Sequence, residues 1–173
     1  LGHHIYESRW LRDPLYMKDN LHVWFRGNDG GKMEYLRKFS SWAADAAYNS
    51  YLVSGDKDFI VDMLPDLEEE YRQWESDHRL SNGLFWQYDV SDGMEESISG
   101  GRREKNARPT INSYRYGNAK AISGIAALAG ELELAEKYTA KADTLKRLIE
   151  SLLWNRDDNF FEVLKEDGQP SGV

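Results

Sequence analysis

The chain has 173 residues, which is within the size range of a single domain. Its net charge of −8 argues against a nucleic-acid groove or an anionic membrane patch, and no apolar run reaches membrane-spanning length. The absence of cysteine excludes disulfides, thiolate metal sites and a cysteine nucleophile. The sequence opens with neither an initiator methionine nor a signal peptide, so we expect it to be part of a longer protein.

Apolar residues recur at helical spacing in five stretches of the chain. The predicted helices cover residues 14–26, 42–53, 56–78, 112–129 and 131–154. Gly27, Gly55 and Gly130 end three of them, and Ser40 or Ser41 is a suitable N-cap for the second helix.

Two extended segments and one long loop complete the predicted elements. Residues 83–89 alternate weakly and are too short for a helix, so they predict a short strand. Residues 91–107 combine glycines with dense charge and predict a loop of a length that is often functional. A second aromatic stretch, residues 160–163, leads into a turn at Asp167-Gly168.

The two halves of the chain match at an offset of 75 residues. Gly55-Asp56 corresponds to Gly130-Glu131, and Asp92-Gly93 corresponds to Asp167-Gly168. We interpret the unit as helix, glycine turn, helix, short strand and loop, although such short matches also arise by chance. Repeats of this kind need neighbours to bury their apolar faces.

The helices are of two kinds, which predicts two layers. Those over 42–53 and 112–129 are rich in alanine and thin enough for an inner layer, whereas the others carry more charge and suit an outer layer. The ends of the inner helices would then present polar loops to a shared pocket.

The acidic segment of the long loop is the first candidate for chemistry. Asp89, Asp92, Glu95 and Glu96 lie close together in sequence, and crowded carboxylates push at least one of the group towards its protonated form. A protonated carboxyl near neutral pH is what a general acid needs. A solvated acidic loop or a cation site is the alternative.

The segment that joins this loop to the fourth helix is the second candidate. Asn112 or Ser113 can cap the helix, whereas Tyr114 and Tyr116 are not needed for capping. Amide, hydroxyl and aromatic groups at one helix mouth suit sugar hydroxyls and the apolar faces of pyranose rings. Other aromatic residues that could extend such a surface are Trp10, Trp42, Trp86 and Tyr88, although core packing is the commoner role for each.

No metal or cofactor motif stands out. His3 and His4 are adjacent, which is poor spacing for one metal ion, and no HExxH pattern follows. Nucleotide-binding and serine-nucleophile motifs are also missing, so the sequence predicts neither a metal nor a cofactor.

The acidic loop and the following helix mouth together resemble the six-hairpin glycosidases. The similarity is greatest to the clan of trehalases, mannosylglycerate hydrolases and processing α-glucosidases. In that clan a glycine, a hydrophobic residue and an Asp, followed shortly by Ser, carry the general acid. Gly93, Met94, Glu95 and Ser97 match this pattern, with Glu in place of the usual Asp. The resemblance therefore implies that Glu95 is the general acid.

The resemblance also implies sugar contacts. The segment 110–112, Thr-Ile-Asn, looks similar to the motif that opens the next inner helix in the clan. Residues 7–10 and 42–45 lie where such enzymes place sugar-contacting residues. The predicted substrate-binding residues are Glu7, Arg9, Trp10, Trp42, Asp45, Trp86, Asp92, Arg108, Asn112, Tyr114 and Tyr116.

The resemblance implies an all-α fold, with residues 1–173 as the N-terminal part of an (α/α)6 toroid made of antiparallel helical hairpins. It implies inverting hydrolysis of an α-linked oligosaccharide or small glycoside, with a carboxylate base supplied by the remainder of the polypeptide. The expected partners are a carbohydrate and that remainder, and a periplasmic or secreted location follows only by analogy.

Two other readings of the sequence stay open. One is a noncatalytic helical-repeat scaffold or carbohydrate-binding module. The other is a different (α/α) toroid enzyme, of the rhamnosidase or polysaccharide-lyase type, that uses other residues.

Overall fold

The computed structural model of the chain describes residues 1–27, 36–93 and 103–171. Its helices are α1 (Gly2–Ser8), α2 (Leu15–Arg26), α3 (Ala43–Ser54), α4 (Lys57–Asp62), α5 (Leu64–His78), α6 (Pro109–Ala129) and α7 (Leu132–Leu148). A π-helical turn over Ile149–Leu153 extends α7, and a short 3₁₀ turn covers Asp89–Ser91. The sheet is small, with β1 (Trp154–Asn155) antiparallel to β2 (Phe160–Phe161). The predicted all-α class is confirmed.

Two predicted helix caps are wrong. α6 begins at Pro109, where a missing N–H costs nothing, so Asn112 and Ser113 lie inside the helix rather than at its cap. α3 begins after Trp42 without a cap from Ser40 or Ser41. The reason is tertiary, because a side chain of α6 supplies the acceptor that the start of α3 needs, as described below.

The internal repeat is visible in the backbone. Gly55 and Gly130 both end a helix in the left-handed conformation, with φ of 71° and 82°. Gly93 and Gly168 also have positive φ, 73° and 79°. Residues with a Cβ avoid this region, so the same turn geometry recurs at the predicted offset.

Each repeat ends in a hairpin of the same kind. After α5, Arg79 pairs with Phe85, and the Trp86 N–H donates to the His78 carbonyl at 2.9 Å. After the π-helical turn, Trp154 pairs with Phe161. The predicted strand over 83–89 is thus limited to isolated bridges.

The helices form two layers. α3 packs against α6, and their alanines, including Ala44, Ala47 and Ala119, are buried between neighbours. In the second layer α5 contacts α7, where the rings of Tyr71 and Tyr138 meet edge to face at 5.3 Å. The division into thin and charged helices agrees with the sequence prediction, and it leaves the N-terminal ends of α3 and α6 side by side.

Candidate functional site

The N-terminal ends of α3 and α6 meet the acidic turn at one rim of the helical layers. The Ser40 N–H donates to the Ser91 carbonyl at 2.9 Å, which ties the segment before α3 to the acidic turn. On the neighbouring side, the rings of Trp42 and Tyr114 lie 4.6 Å apart, both half-buried. Three segments that are distant in sequence therefore converge here.

A row of buried polar side chains along α6 holds this rim together. We call it the α6 polar stripe, and its members are Arg108, Asn112, Arg115 and Asn118. They recur at helical spacing, so they share one side of α6. Buried polar groups are costly unless they are hydrogen-bonded, and the members of the stripe bond two segments, one before the acidic turn and one before α3.

The first half of the stripe fixes the hairpin that leads into the acidic turn. The Asn112 side chain accepts from the Phe85 N–H at 2.8 Å and donates to the Phe85 carbonyl at 2.9 Å. Arg108 donates to the Gln87 carbonyl and forms a buried ion pair with Asp89. Both groups are engaged within the protein, so Asn112 and Arg108 anchor the loop rather than face a pocket.

The second half of the stripe fixes the start of α3. Asn118 accepts from the Asp45 N–H at 3.1 Å, which satisfies an N–H that a helix start leaves open, and it donates to the Ser41 carbonyl at 3.0 Å. Arg115 also donates to the Ser41 carbonyl, and it pairs with the buried Glu70 of α5 at 3.1 Å. The backbone around Trp42 is thus set by α6.

Asp92 is the most unusual titratable group of the rim. It is 7% exposed, and in the part of the chain that the structure describes neither carboxylate oxygen has a hydrogen bond of normal geometry. Burial raises its pKa to about 6, and the nearby hydroxyls of Ser40 and Thr110 oppose the rise. Burial, and next the charge of Asp92, raises the pKa of Tyr114 as well. The charge of Asp92 therefore acts on Tyr114.

Asp45 is a second carboxyl at the same rim. Burial raises its pKa, and the positive charge of Arg9 partly opposes this shift. The Arg9 guanidinium itself lies over the rings of Tyr6, at 3.3 Å, and Trp10, at 4.9 Å. Arg9 thus links the acid at the start of α3 to the aromatic end of α1.

The structure brings together some of the predicted site residues and separates others. Those at the rim are Arg9, Trp42, Asp45, Asp92 and Tyr114. Trp86 instead stacks against His78 at 4.3 Å and contacts Tyr88 at 5.2 Å. Tyr116 packs on the hydrophobic core, Glu7 is exposed on α1, and Trp10 is 69% exposed.

The predicted general acid, Glu95, lies outside the described residues, as do Met94, Glu96 and Ser97. Gly93, two residues earlier in the sequence, is described and has a φ of 73°. Glu95 as the acid stays a prediction.

Several contributors to the rim were not singled out by the sequence. Gly2 lies against the Trp42 ring so closely that a Cβ there would come within 2.8 Å of it, and the His3 ring meets Trp42 edge-on at 4.5 Å. Asn118 and Glu70 were also missed. For Asn118 the available signal was the helical spacing of polar residues in the otherwise alanine-rich α6.

Neither a cluster of metal ligands nor a membrane-spanning helix is found in the described ranges. Over residues 1–27, 36–93 and 103–171, no three His, Asp or Glu side chains are grouped to hold a metal ion. Within the same ranges, no helix has both the length and the apolar character needed to cross a bilayer.

The chain is thus an all-α repeat of helical hairpins with carboxylates and aromatic rings at one rim. The mannosylglycerate hydrolase MGH1-like glycoside hydrolase domain family matches residues 1–173. The chain belongs to this family, which confirms the glycosidase resemblance drawn from the motifs.

Two relatives extend the comparison. A solved structure named sialidase is 59% identical, with a TM-score of 0.94 over 99% of this chain and 16% of its own length. An uncharacterized protein of Borreliella burgdorferi is 31% identical over 116 residues, which are 67% of this chain and 24% of that protein. The chain thus spans less than a quarter of the length of either relative.

Proposed function

We propose that the chain supplies the acid half of an inverting glycoside hydrolase site, with Glu95 as the general acid. The observation that carries the proposal is the buried carboxyl of Asp92 beside the Trp42–Tyr114 ring pair. Carboxylates accept hydrogen bonds from sugar hydroxyls, and flat aromatic rings cover the apolar face of a pyranose. Membership of a glycoside hydrolase domain family supports the same chemistry.

In this proposal the substrate lies at the rim and Asp92 accepts from a sugar hydroxyl. A ligand hydroxyl would fill the acceptor positions that the described residues leave open on this carboxyl. Asp45, whose backbone N–H is held by Asn118 and whose charge is opposed by Arg9, offers a second acceptor near the start of α3.

The proposed reaction moves two protons, one from Glu95 to the substrate and one from a water molecule to a base. Glu95 gives its proton to the glycosidic oxygen as the bond from this oxygen to the anomeric carbon breaks. A water molecule attacks that carbon from the opposite face and loses a proton to a carboxylate base roughly 6.5–9.5 Å from the acid. The base, in this proposal, belongs to a part of the polypeptide outside this chain.

A noncatalytic carbohydrate-binding role is the second candidate. Trp10 is 69% exposed beside the Arg9 guanidinium, as an aromatic binding platform would be. This role would use Trp10 together with the rim and would need no proton transfer from Glu95.

Substitution of Glu95 separates the two candidates. Full-length protein is assayed for reducing-sugar release from a panel of α-linked oligosaccharides, with Glu95→Gln compared with Glu96→Gln as the matched control. A general acid predicts a loss on the order of 10²–10⁴ in rate for Glu95→Gln alone. Equal rates for both variants would refute the assignment of the acid. No hydrolysis by the wild type, together with retained sugar binding, would favour the binding role.

A further inference from the structure

An open cavity lies between the loops that follow the hairpins of the two repeats. One wall is formed by residues 103–106 and the other by residues 165–167, and the volume is about 600 Å³. We call it the interloop cavity. The two walls are joined by backbone hydrogen bonds, because Ala107 N–H donates to Leu164 O at 2.8 Å and Leu164 N–H donates to Ala107 O at 3.1 Å. Its volume is within the range of roughly 300–1,000 Å³ that small-molecule sites occupy.

Tyr88 provides the aromatic part of the interloop cavity. Its half-buried ring meets the Trp86 ring edge to face at 5.2 Å, and Trp86 in turn stacks on His78 at 4.3 Å. The Lys105 ammonium lies 5.0 Å from the centre of the Trp86 ring. These contacts hold an aromatic group beside the cavity before any ligand arrives, and flat rings of this kind cover the apolar face of a pyranose.

The charges along the interloop cavity balance. The described residues that line it contribute three cations and three carboxylates, which are Arg103, Lys105, Lys165, Glu104, Glu166 and Asp167. Lys105 and Glu166 approach each other from the two walls, with Nζ 3.6 Å from the carboxylate oxygen. A site for an ion needs an excess of the opposite charge, whereas a hydroxyl both donates and accepts hydrogen bonds. The mixture of donors and acceptors therefore suits a neutral polyhydroxylated ligand.

The acidic turn connects the interloop cavity with the rim. Tyr88 is the residue before the 3₁₀ turn over Asp89–Ser91, and Asp92 is the residue after it. The N–H groups of Ser91 and Asp92 both donate to the Tyr88 carbonyl at 3.0 Å, and the Asp89 carboxylate is fixed by its ion pair with Arg108. A ligand at the rim therefore has to cross only one turn of the chain to reach the cavity.

We infer that the interloop cavity is a second sugar subsite, which binds a neutral unit of the substrate away from the bond that is cleaved. The Tyr88 ring covers the apolar face of this unit, and the charged side chains of the two walls bond its hydroxyls. The substrate is then a neutral oligosaccharide longer than a disaccharide. The inference rests on the proposed function, because it takes the rim as the place of the reacting sugar.

Calorimetric titration of the full-length protein tests the subsite. The probes are neutral α-linked oligosaccharides of glucose, mannose or galactose with two and four units, joined through sulfur so that they resist hydrolysis. We expect Tyr88→Ala to weaken tetrasaccharide binding about tenfold and binding of the matching disaccharide less than about twofold. Lys165→Ala, on the opposite wall, should weaken tetrasaccharide binding selectively by about threefold.

Control variants separate binding from folding. Tyr88→Phe keeps the ring and should bind the tetrasaccharide as the wild type does. Tyr16→Ala on α2 and Lys146→Ala on α7 remove exposed side chains outside the cavity and should leave both affinities unchanged. If Tyr88→Ala does not fold, Lys165→Ala decides the result.

The outcomes distinguish the subsite from the proposed function. Tetrasaccharide affinity that is unchanged in Tyr88→Ala and Lys165→Ala would overturn the subsite and leave the proposed function standing. Binding of no probe by the wild type would overturn both. Tighter binding of an oligogalacturonate of four units, lost in Lys165→Ala, would overturn the assignment of a neutral ligand.

Discussion

Arg115 of α6 and Glu70 of α5 form an ion pair of 3.1 Å that is sealed from solvent, and the same guanidinium donates to the carbonyl of Ser41. It also lies 4.7 Å from the centre of the Trp74 ring. One side chain therefore joins the second helical layer to the backbone that carries Trp42. The placement of the rim depends on this contact between helices.

Removing one partner of this pair should be costly. Arg115→Met leaves Glu70 buried without its cation, so we expect a loss of about 3–5 kcal/mol in the free energy of unfolding. The double variant Glu70→Leu, Arg115→Met should recover much of that loss, because no unpaired charge remains. The exposed pair Arg72–Glu69 provides the control, for which Arg72→Met should cost less than about 1 kcal/mol. Denaturant unfolding measures all of them, and equal losses for Arg115→Met and Arg72→Met would contradict the argument.

Asp92 should give the protein a specific pH dependence. Its folded-state pKa is raised to about 6, so between about pH 4 and pH 6 the folded protein holds a proton that the unfolded chain has released. The free energy of unfolding should therefore fall as pH rises through this window, by roughly 2–3 kcal/mol from this group.

Denaturant unfolding between pH 4 and pH 7.5 checks the contribution of Asp92. Asp92→Asn removes the titrating group and should flatten the profile, whereas the exposed Asp157→Asn should leave its slope as in the wild type. A profile for Asp92→Asn that parallels the wild type would show that this carboxyl does not carry the effect.

The position of the Trp42 ring should be sensitive to the side chain at position 2, which contacts it. In Gly2→Ala the new Cβ would lie 2.8 Å from the Trp42 ring, so the ring must move and its contact with Tyr114 must change, at a cost of about 1–3 kcal/mol. Gly117→Ala is the matched control, because its Cβ meets Asp45 at an ordinary 3.6 Å and an alanine inside a helix gains roughly 0.5–1 kcal/mol. Near-ultraviolet circular dichroism and thermal unfolding follow both. A wild-type spectrum and stability for Gly2→Ala would rule out the close contact.

The 173-residue chain on its own should show no turnover. The proposed inverting mechanism needs a second carboxylate, which we place outside this chain. Reducing-sugar release by the chain alone should stay at background on the oligosaccharide panel that the full-length protein cleaves. Hydrolysis by the chain at a rate close to that of the full-length protein would mean that both carboxylates lie within these residues.

The sequence predicted those features of the fold that depend on residues close together along the chain. Helical spacing identified the main helices, and Gly55 and Gly130 end two of them as predicted because each needs a left-handed backbone. It failed for α1, which is too short to show a period, and for the caps of α3 and α6. The start of α3 depends on a hydrogen bond from the distant Asn118, and α6 begins at Pro109 instead of after a capping side chain.

For the candidate site, the sequence indicated which residues could bind a sugar, and the structure decided which of them lie together. Trp42 and Trp86 were equally plausible sugar platforms from composition, yet only Trp42 contacts Tyr114, while Trp86 joins an aromatic stack with His78. Asn112 looked suited to a cap or a sugar contact and instead clamps Phe85. Neither outcome follows from neighbours in sequence.

By itself the sequence determined the helix periods, the glycine turns, the internal repeat and the glycosidase resemblance, because these depend on residues close along the chain or on short motifs. Only the tertiary structure decided which polar side chains are buried and which ring pairs form at the rim. Such contacts join residues far apart in the chain, as Arg115 and Glu70 are, and their energies depend on how the helices pack to exclude water.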